Sequence, residues 1–292
     1  MRILITGASG QLGGYLAREL RALGEDTVAW SGSRSGELFG VRLVPVDLRD
    51  LDRLTSCYRE VNPSWVIHAA AVSRVDTCYE DYALARQVNV DGTARLAELA
   101  AENGARLTFV STDLVFDGQV GNYGEDDQAT PLSRYGQSKL AAEEVTARFP
   151  QHVIARVSLL YGPALNSQPT LFFAQQLRAL REGTPMKLFE DEWRTPLSLQ
   201  HAARGLIELA KSDCSGHLHM GGPERMSRFE MGQRLAAVIG ADPSMLEPVR
   251  QASVATPEPR PRDVSLNSQR WCELFPNSQP ATFETALNDM GL

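Results

Sequence analysis

Arg2-Ile3-Leu4-Ile5-Thr6-Gly7-Ala8-Ser9-Gly10-Gln11-Leu12-Gly13 opens the chain with an apolar run that passes through glycines spaced GxxGxxG. An unbroken apolar run reads as a strand covered on both faces. The pattern that follows, Gln11 to Leu23, has helical spacing and ends at Gly24. Gly7, Gly10 and Gly13 allow a tight turn and a close backbone approach. N–H groups at the start of the helix, with its dipole, favour an anion such as a pyrophosphate. A glycine string alone is a weak signal. Between a buried strand and an amphipathic helix, it reads as a dinucleotide loop.

Outward from this loop the first half alternates strand and helix patterns. Strands are expected at Thr27 to Trp30, Arg42 to Val46, Trp65 to His68, Leu107 to Val110 and Val153 to Val157. Helices are expected at Leu51 to Val61, Asp81 to Asn103, and from a Ser133 cap toward Phe149. With the first strand this gives six strands separated by helices. The fold class is α/β: a doubly wound parallel sheet of the Rossmann type, with a smaller interleaved lobe. After Tyr161-Gly162-Pro163 the alternation fails. Helix patterns recur at Leu171 to Glu182, Leu199 to Lys211 and Met226 to Ile239, with a short strand at Leu218 to Met220 and a Pro-rich stretch from Ala252 to Arg262. We expect a nucleotide-binding domain of residues 1–160 plus about 196–220. The substrate lobe would take about 161–195 plus 221–292.

At 292 residues and 43% hydrophobic composition the chain can bury a large core. Its net charge is −7 and its basic residues are scattered singly, unlike the stripe of a nucleic-acid binder. No apolar stretch is long enough to span a bilayer. The strand pattern begins at once and leaves no room for a signal peptide, so a cytosolic protein is expected. Cys57, Cys78, Cys214 and Cys272 fit no metal or redox spacing, and the five histidines form no HxxH pattern, so no protein-held metal is expected.

The end of the second strand speaks to cofactor choice. Trp30-Ser31-Gly32-Ser33-Arg34 carries no acid where an NAD site places one on the ribose hydroxyls. Ser31 and Arg34 suit a 2′-phosphate, so NADPH is expected, with NADH the second choice. Tyr135 and Lys139 lie four apart at the start of a predicted helix, on one face. Carbonyl reduction needs a proton donor, and an ammonium nearby would make the phenol more acidic. Ser111-Thr112-Asp113 follows the fifth strand, where open α/β sheets collect functional groups. A hydroxyl there can hydrogen-bond the substrate carbonyl oxygen.

Taken together, these strings resemble the extended short-chain dehydrogenase/reductases, and within them the dTDP-4-dehydrorhamnose reductase family. The resemblance rests on Thr6 to Gly13, Asp47-Leu48, Ala69-Ala70-Ala71 with Val75-Asp76, and Asn89-Val90-Asp91-Gly92-Thr93. It continues through Ser111-Thr112-Asp113 with Val115-Phe116-Asp117-Gly118, Tyr135-Gly136 to Lys139-Leu140, and Arg260-Pro261-Arg262 with Ser265-Leu266-Asn267. It implies Thr112, Tyr135 and Lys139 as the catalytic set, Asp47 and Leu48 beside the adenine, and Ala69, Ala70 and Ala71 along the cofactor. Asn89 is implied as a structural hydrogen-bonding residue. The implied reaction is hydride transfer from NADPH to C4 of a dTDP-linked 4-keto-6-deoxy sugar, with Tyr135 donating the proton. Thr112 and Asp113 would face the sugar, and Arg260, with Arg250 and Arg262, the diphosphate. The implied partner is a nucleotide sugar, with no nucleic acid or membrane; a homodimer is entertained as the assembly.

Two positions depart from the family pattern. Leu159 stands where a tryptophan is usual, and His201 near the place of a usual aspartate. A second reading therefore stays open: an NADP-binding regulatory subunit similar to the β subunit of methionine adenosyltransferase. A third is a nucleotide-sugar epimerase or dehydratase, although Thr112-Asp113-Leu114 holds only one acid.

Overall fold

The computed structural model describes residues 1–165 and 172–292. Along the chain come β1 (Arg2–Thr6), α1 (Gln11–Ala22), β2 (Asp26–Ser31), β3 (Gly36–Leu38), β4 (Val41–Pro45), α2 (Leu51–Val61) and β5 (Trp65–His68). Next are α3 (Val75–Glu80), α4 (Tyr82–Arg86), α5 (Gly92–Glu102), β6 (Arg106–Thr112), α6 (Arg134–Thr146), β7 (His152–Val157) and β8 (Leu160–Tyr161). Then follow α7 (Phe172–Glu182), β9 (Met186–Phe189), β10 (Trp193–Arg194), β11 (Leu197–Ser198), α8 (Leu199–Lys211) and β12 (Gly216–Met220). The chain closes with β13 (Met226–Ser227), α9 (Arg228–Ile239), β14 (Leu246–Val249), α10 (Gln269–Leu274) and α11 (Phe283–Asp289).

Eight strands form one sheet in the order β12-β7-β6-β5-β1-β2-β4-β3, parallel except for the β3 edge. The order reverses between β1 and β5, which opens a crevice at their carboxyl ends. Side chains alternate across β1: Ile3 and Ile5 pack with Leu16, Leu20, Leu206 and Leu209 of α1 and α8, and Leu4 packs with Leu54, Leu96 and Leu99 of α2 and α5. Covered on both faces, the strand has to be apolar throughout. The doubly wound sheet is as expected. A separate apolar cluster gathers Tyr161, Phe173, Leu188, Leu235 and Phe283 from the later elements.

Several local expectations are corrected. The loop after Arg34 is a hairpin: β3 pairs antiparallel with β4 across Phe39 and Gly40, both at positive φ. The single helix expected from Asp81 to Asn103 starts after its Asp81 cap and carries a π turn at Gln87–Asp91. That turn aims Asn89 at the Val72 N–H (2.8 Å) and at the Ser138 hydroxyl (2.9 Å). Met226 and Ser227 belong to a two-stranded ribbon with β10, and α9 begins at Arg228 behind a Ser227–Glu230 capping box. The predicted Ser133 cap does accept the Gly136 N–H, while α6 ends at Thr146, before Phe149. Leu171, the expected start of α7, lies outside the described residues. Among the described residues no helix is long and apolar enough to cross a membrane.

Candidate active site

A cleft of about 1270 Å³ lies along the carboxyl ends of the parallel strands. Its floor is the glycine turn. Gly7 sits at φ 71°, and a Cβ there would meet the Ala70 backbone at 2.8 Å; one on Gly13 would meet the Gly7 carbonyl oxygen at 2.1 Å. Only hydrogen fits at either place. α1 starts behind Gly10, which has no side chain to cap it, so the helix end faces the cleft. Gly7, Gly10, Gln11, Leu12, Gly13, Ser31, Asp47, Leu48, Ala69, Ala70 and Ala71 all line this cleft. Arg34 is not among the lining residues. Its carbonyl accepts the Ser31 hydroxyl, and Gly32, Ser33 and Arg49 line the wall instead. The reason is the β3 hairpin, which turns the chain away immediately after Ser33. Arg49 holds both Asp47 oxygens, with Nη2 to Oδ2 at 2.6 Å, and this bond keeps the Asp47 carboxyl below its ordinary range.

Across the cleft stand Thr112, Asp113, Tyr135 and Lys139. α6 brings the last two together because they are four residues apart on its inner face. Lys139 is buried, and its Nζ donates to the Val110 carbonyl at 2.7 Å. Burial pushes this amine down to about 7. The Tyr135 phenol moves the other way: burial, then the Asp113 carboxylate and the Cys78 thiol, push it above its ordinary value. The acidification expected from Lys139 is corrected: loss of solvent around the phenol sets the direction of its shift. Thr112 donates to Asp113 Oδ1 at 3.1 Å and accepts the Leu114 N–H. Burial also raises the Asp113 carboxyl, opposed by Arg194 and by the Ser158 hydroxyl at 2.9 Å.

The remaining wall comes from later in the chain. Glu192 is fully buried and binds Arg260, through Nη2 at 3.0 Å and through Nε, and Arg228 Nε at 3.4 Å. Arg194 lies 3.8 Å from Asp113 Oδ2. Arg194, Arg228 and Arg260 all line the cleft, beside the strap Thr256 to Pro261. Burial and the neighbouring Arg194 lower Arg228 to about 10, and among the described residues its Nη1 has no partner. Arg250 and Arg262 are elsewhere: one pairs with Glu190 at the surface, the other stacks over Trp193. Leu159 lines the cleft, whereas His201 binds Ser198 in the first turn of α8. Sequence reasoning missed Arg49, Glu192, Arg194 and Arg228. A trace of Glu192 and Arg194 existed in the run of charges from Glu190 to Arg194, whereas nothing near Arg228 marked it.

Comparison with known proteins places this geometry among relatives. A family model described as the RmlD substrate binding domain matches residues 1–291. The chain is 32% identical to the dTDP-4-dehydrorhamnose reductase of Mycobacterium tuberculosis, covering 92% of this chain and 86% of that protein. It is 28% identical to methionine adenosyltransferase 2 subunit beta of Danio rerio, covering 99% and 89%. The crystal structure of a dTDP-4-dehydrorhamnose reductase from Clostridium acetobutylicum superposes with a TM-score of 0.88 at 26% identity, covering 99% of this chain and 98% of that one.

Proposed function

Because the chain belongs to the RmlD substrate binding domain family, we propose that it is an NADPH-dependent reductase of a nucleotide-linked 4-keto-6-deoxy sugar. One observation carries this reading: Thr112, Tyr135 and Lys139 line the same cleft as the Gly7–Gly13 turn. The turn suits a dinucleotide, since its backbone is bare where a Cβ would collide and a helix end points at the space a pyrophosphate would take. Asp47, Leu48 and the three alanines would flank such a cofactor, which when bound supplies the hydride.

The protein's own groups then handle the oxygen. Tyr135 keeps its proton at neutral pH because burial and Asp113 disfavour the phenolate, which makes it a donor to the substrate oxygen as negative charge develops there. Thr112 would serve the same oxygen by turning its hydroxyl proton from Asp113 Oδ1 toward the substrate. Lys139, one turn along α6, supplies positive charge against the phenolate left behind. Arg194, Arg228 and Arg260 suit the two phosphates of a nucleotide sugar, Glu192 fixing Arg228 and Arg260 while Arg194 lies beside Asp113. The domain division is part of the proposal: residues 1–160 with 196–220 carry the cofactor, and the others, supported by their own apolar cluster, carry the substrate.

Consumption of NADPH on addition of a dTDP-4-keto-6-deoxy sugar tests the reading directly. The specific observation favouring a second reading is Leu159, an aliphatic side chain at the cleft wall. Tight NADP binding with no turnover of any nucleotide keto-sugar would support the second reading, a regulatory subunit rather than a reductase. For the cofactor, Arg49 and Arg34 make a second test. Arg49→Ala is expected to reduce the preference for NADPH over NADH, in kcat/KM, by about tenfold, the loss of one charge-assisted bond to phosphate. Arg34→Ala should leave it within about twofold, the range of a charge that does not touch the ligand. The reverse ranking would return the phosphate to Arg34.

A further inference from the structure

Lys139 sits where an ammonium is costly. It is 3% exposed, and its Nζ lies 4.0 Å from the centre of the Phe109 ring, with the Val110 carbonyl as its hydrogen-bond acceptor. His68 from β5 and Cys78 from α3 also face it. Among the described residues no carboxylate is in ion-pair contact with it, and a buried amine so placed tends to lose its proton.

Glu143 follows one helical turn later on the same face of α6 and is 2% exposed. Arg156 from β7 grips both of its oxygens, with Nη2 to Oε2 at 2.7 Å and Nε to Oε1 at 3.0 Å. His217 from β12 approaches Oε2 at 3.3 Å, and the Ser111 hydroxyl of β6 faces the same carboxylate. Arg156 is itself fixed, 5.1 Å from the centre of the Phe116 ring and 3.4 Å from His219 Nε2. His219 in turn binds the Tyr123 carbonyl, and its backbone N–H reaches Glu125. Burial alone would raise the Glu143 carboxyl. His217 and Arg156 overcome it and bring the group to about 2, so the carboxylate is ionised throughout the neutral range. A pair this deep contributes little net stability compared with an apolar replacement, so its charge asks for another role.

We propose that Glu143 is a positioning residue whose clamped carboxylate keeps the buried Lys139 ammonium charged. This rests on the part given to Lys139 in the proposed function, but it can be read without turnover. The chain has three lysines, Lys139, Lys187 and Lys211. Labelled with 13C at lysine Cε, the protein gives three signals, assigned with Lys187→Arg and Lys211→Arg, whose pH titrations are followed separately. Glu143→Gln is expected to lower the Lys139 midpoint by about one pH unit, with Glu143→Asp restoring most of it. In the active enzyme the alkaline limb of kcat/KM moves the same way, which a purely structural role would not produce. If Glu143→Gln does not fold, Glu143→Gln/Arg156→Met removes both buried charges together, and a smaller fall of the same sign is expected because the lost cation offsets part of the lost anion. A Lys139 midpoint unchanged in either folded variant overturns the proposal. A shifted midpoint without any reductase activity retains it and removes the assigned reaction.

Discussion

Tyr135→Phe lowers kcat with a nucleotide keto-sugar about a thousandfold, in the range that a positioned proton donor contributes. Its cost elsewhere is small. Tyr135 lines the cleft, the Thr112 hydroxyl keeps its bond to Asp113, and the aromatic ring of residue 135 is retained. NADPH affinity and the melting temperature should therefore stay close to those of the parent. The measurement is stopped-flow oxidation of bound NADPH beside a binding titration. A kcat within about tenfold of the parent would leave proton donation to another group or to water, below the contribution of a general acid.

Gly13→Ala attacks the other half of the site. The added methyl would stand 2.1 Å from the Gly7 carbonyl oxygen and 2.6 Å from the Ala8 Cα, both backbone atoms that cannot swing away. The turn and α1 must separate, at a cost of about 1–3 kcal/mol. The pyrophosphate seat goes with them, and NADPH affinity should fall at least about a hundredfold, the equivalent of about 2.7 kcal/mol. Gly124→Ala is the control: its φ is ordinary and the nearest atom to a new Cβ is an Asp127 oxygen at 3.8 Å. Calorimetric titration and thermal unfolding read both effects. Unaltered NADPH binding in Gly13→Ala would mean that the cofactor does not use this turn.

Legibility in the sequence followed the range of the interactions. β1, the glycine turn and α1 are written in adjacent residues, and an unbroken apolar run, the glycine spacing and an apolar period of 3.6 report them directly. Tyr135 and Lys139 were legible for the same reason, being one helical turn apart. The β3 hairpin was not, because a strand of three residues is shorter than any periodicity can register. Arg34 was assigned from its nearness in sequence to Ser31, and that hairpin diverts the chain before it arrives. The Glu192 cluster was hidden for a different reason. Its members come from residues 192, 194, 228 and 260, and although Arg260 is expected at the site, no local pattern tells that these four charges meet after folding. The direction of the Tyr135 shift was misjudged because a sequence names the neighbouring cation but not how much water both groups lose.

The strap from Thr256 to Pro261 has a bearing on synthesis. Glu258 on that strap accepts the N–H of Arg134, the residue that precedes Tyr135, and Arg260 closes on Glu192. A nascent chain emerging from the ribosome can wind β1 to β7 early, with the loop for the pyrophosphate already shaped. The wall opposite Tyr135 is missing until residue 261 has emerged, so the cleft gains its full enclosure only well after its floor has formed.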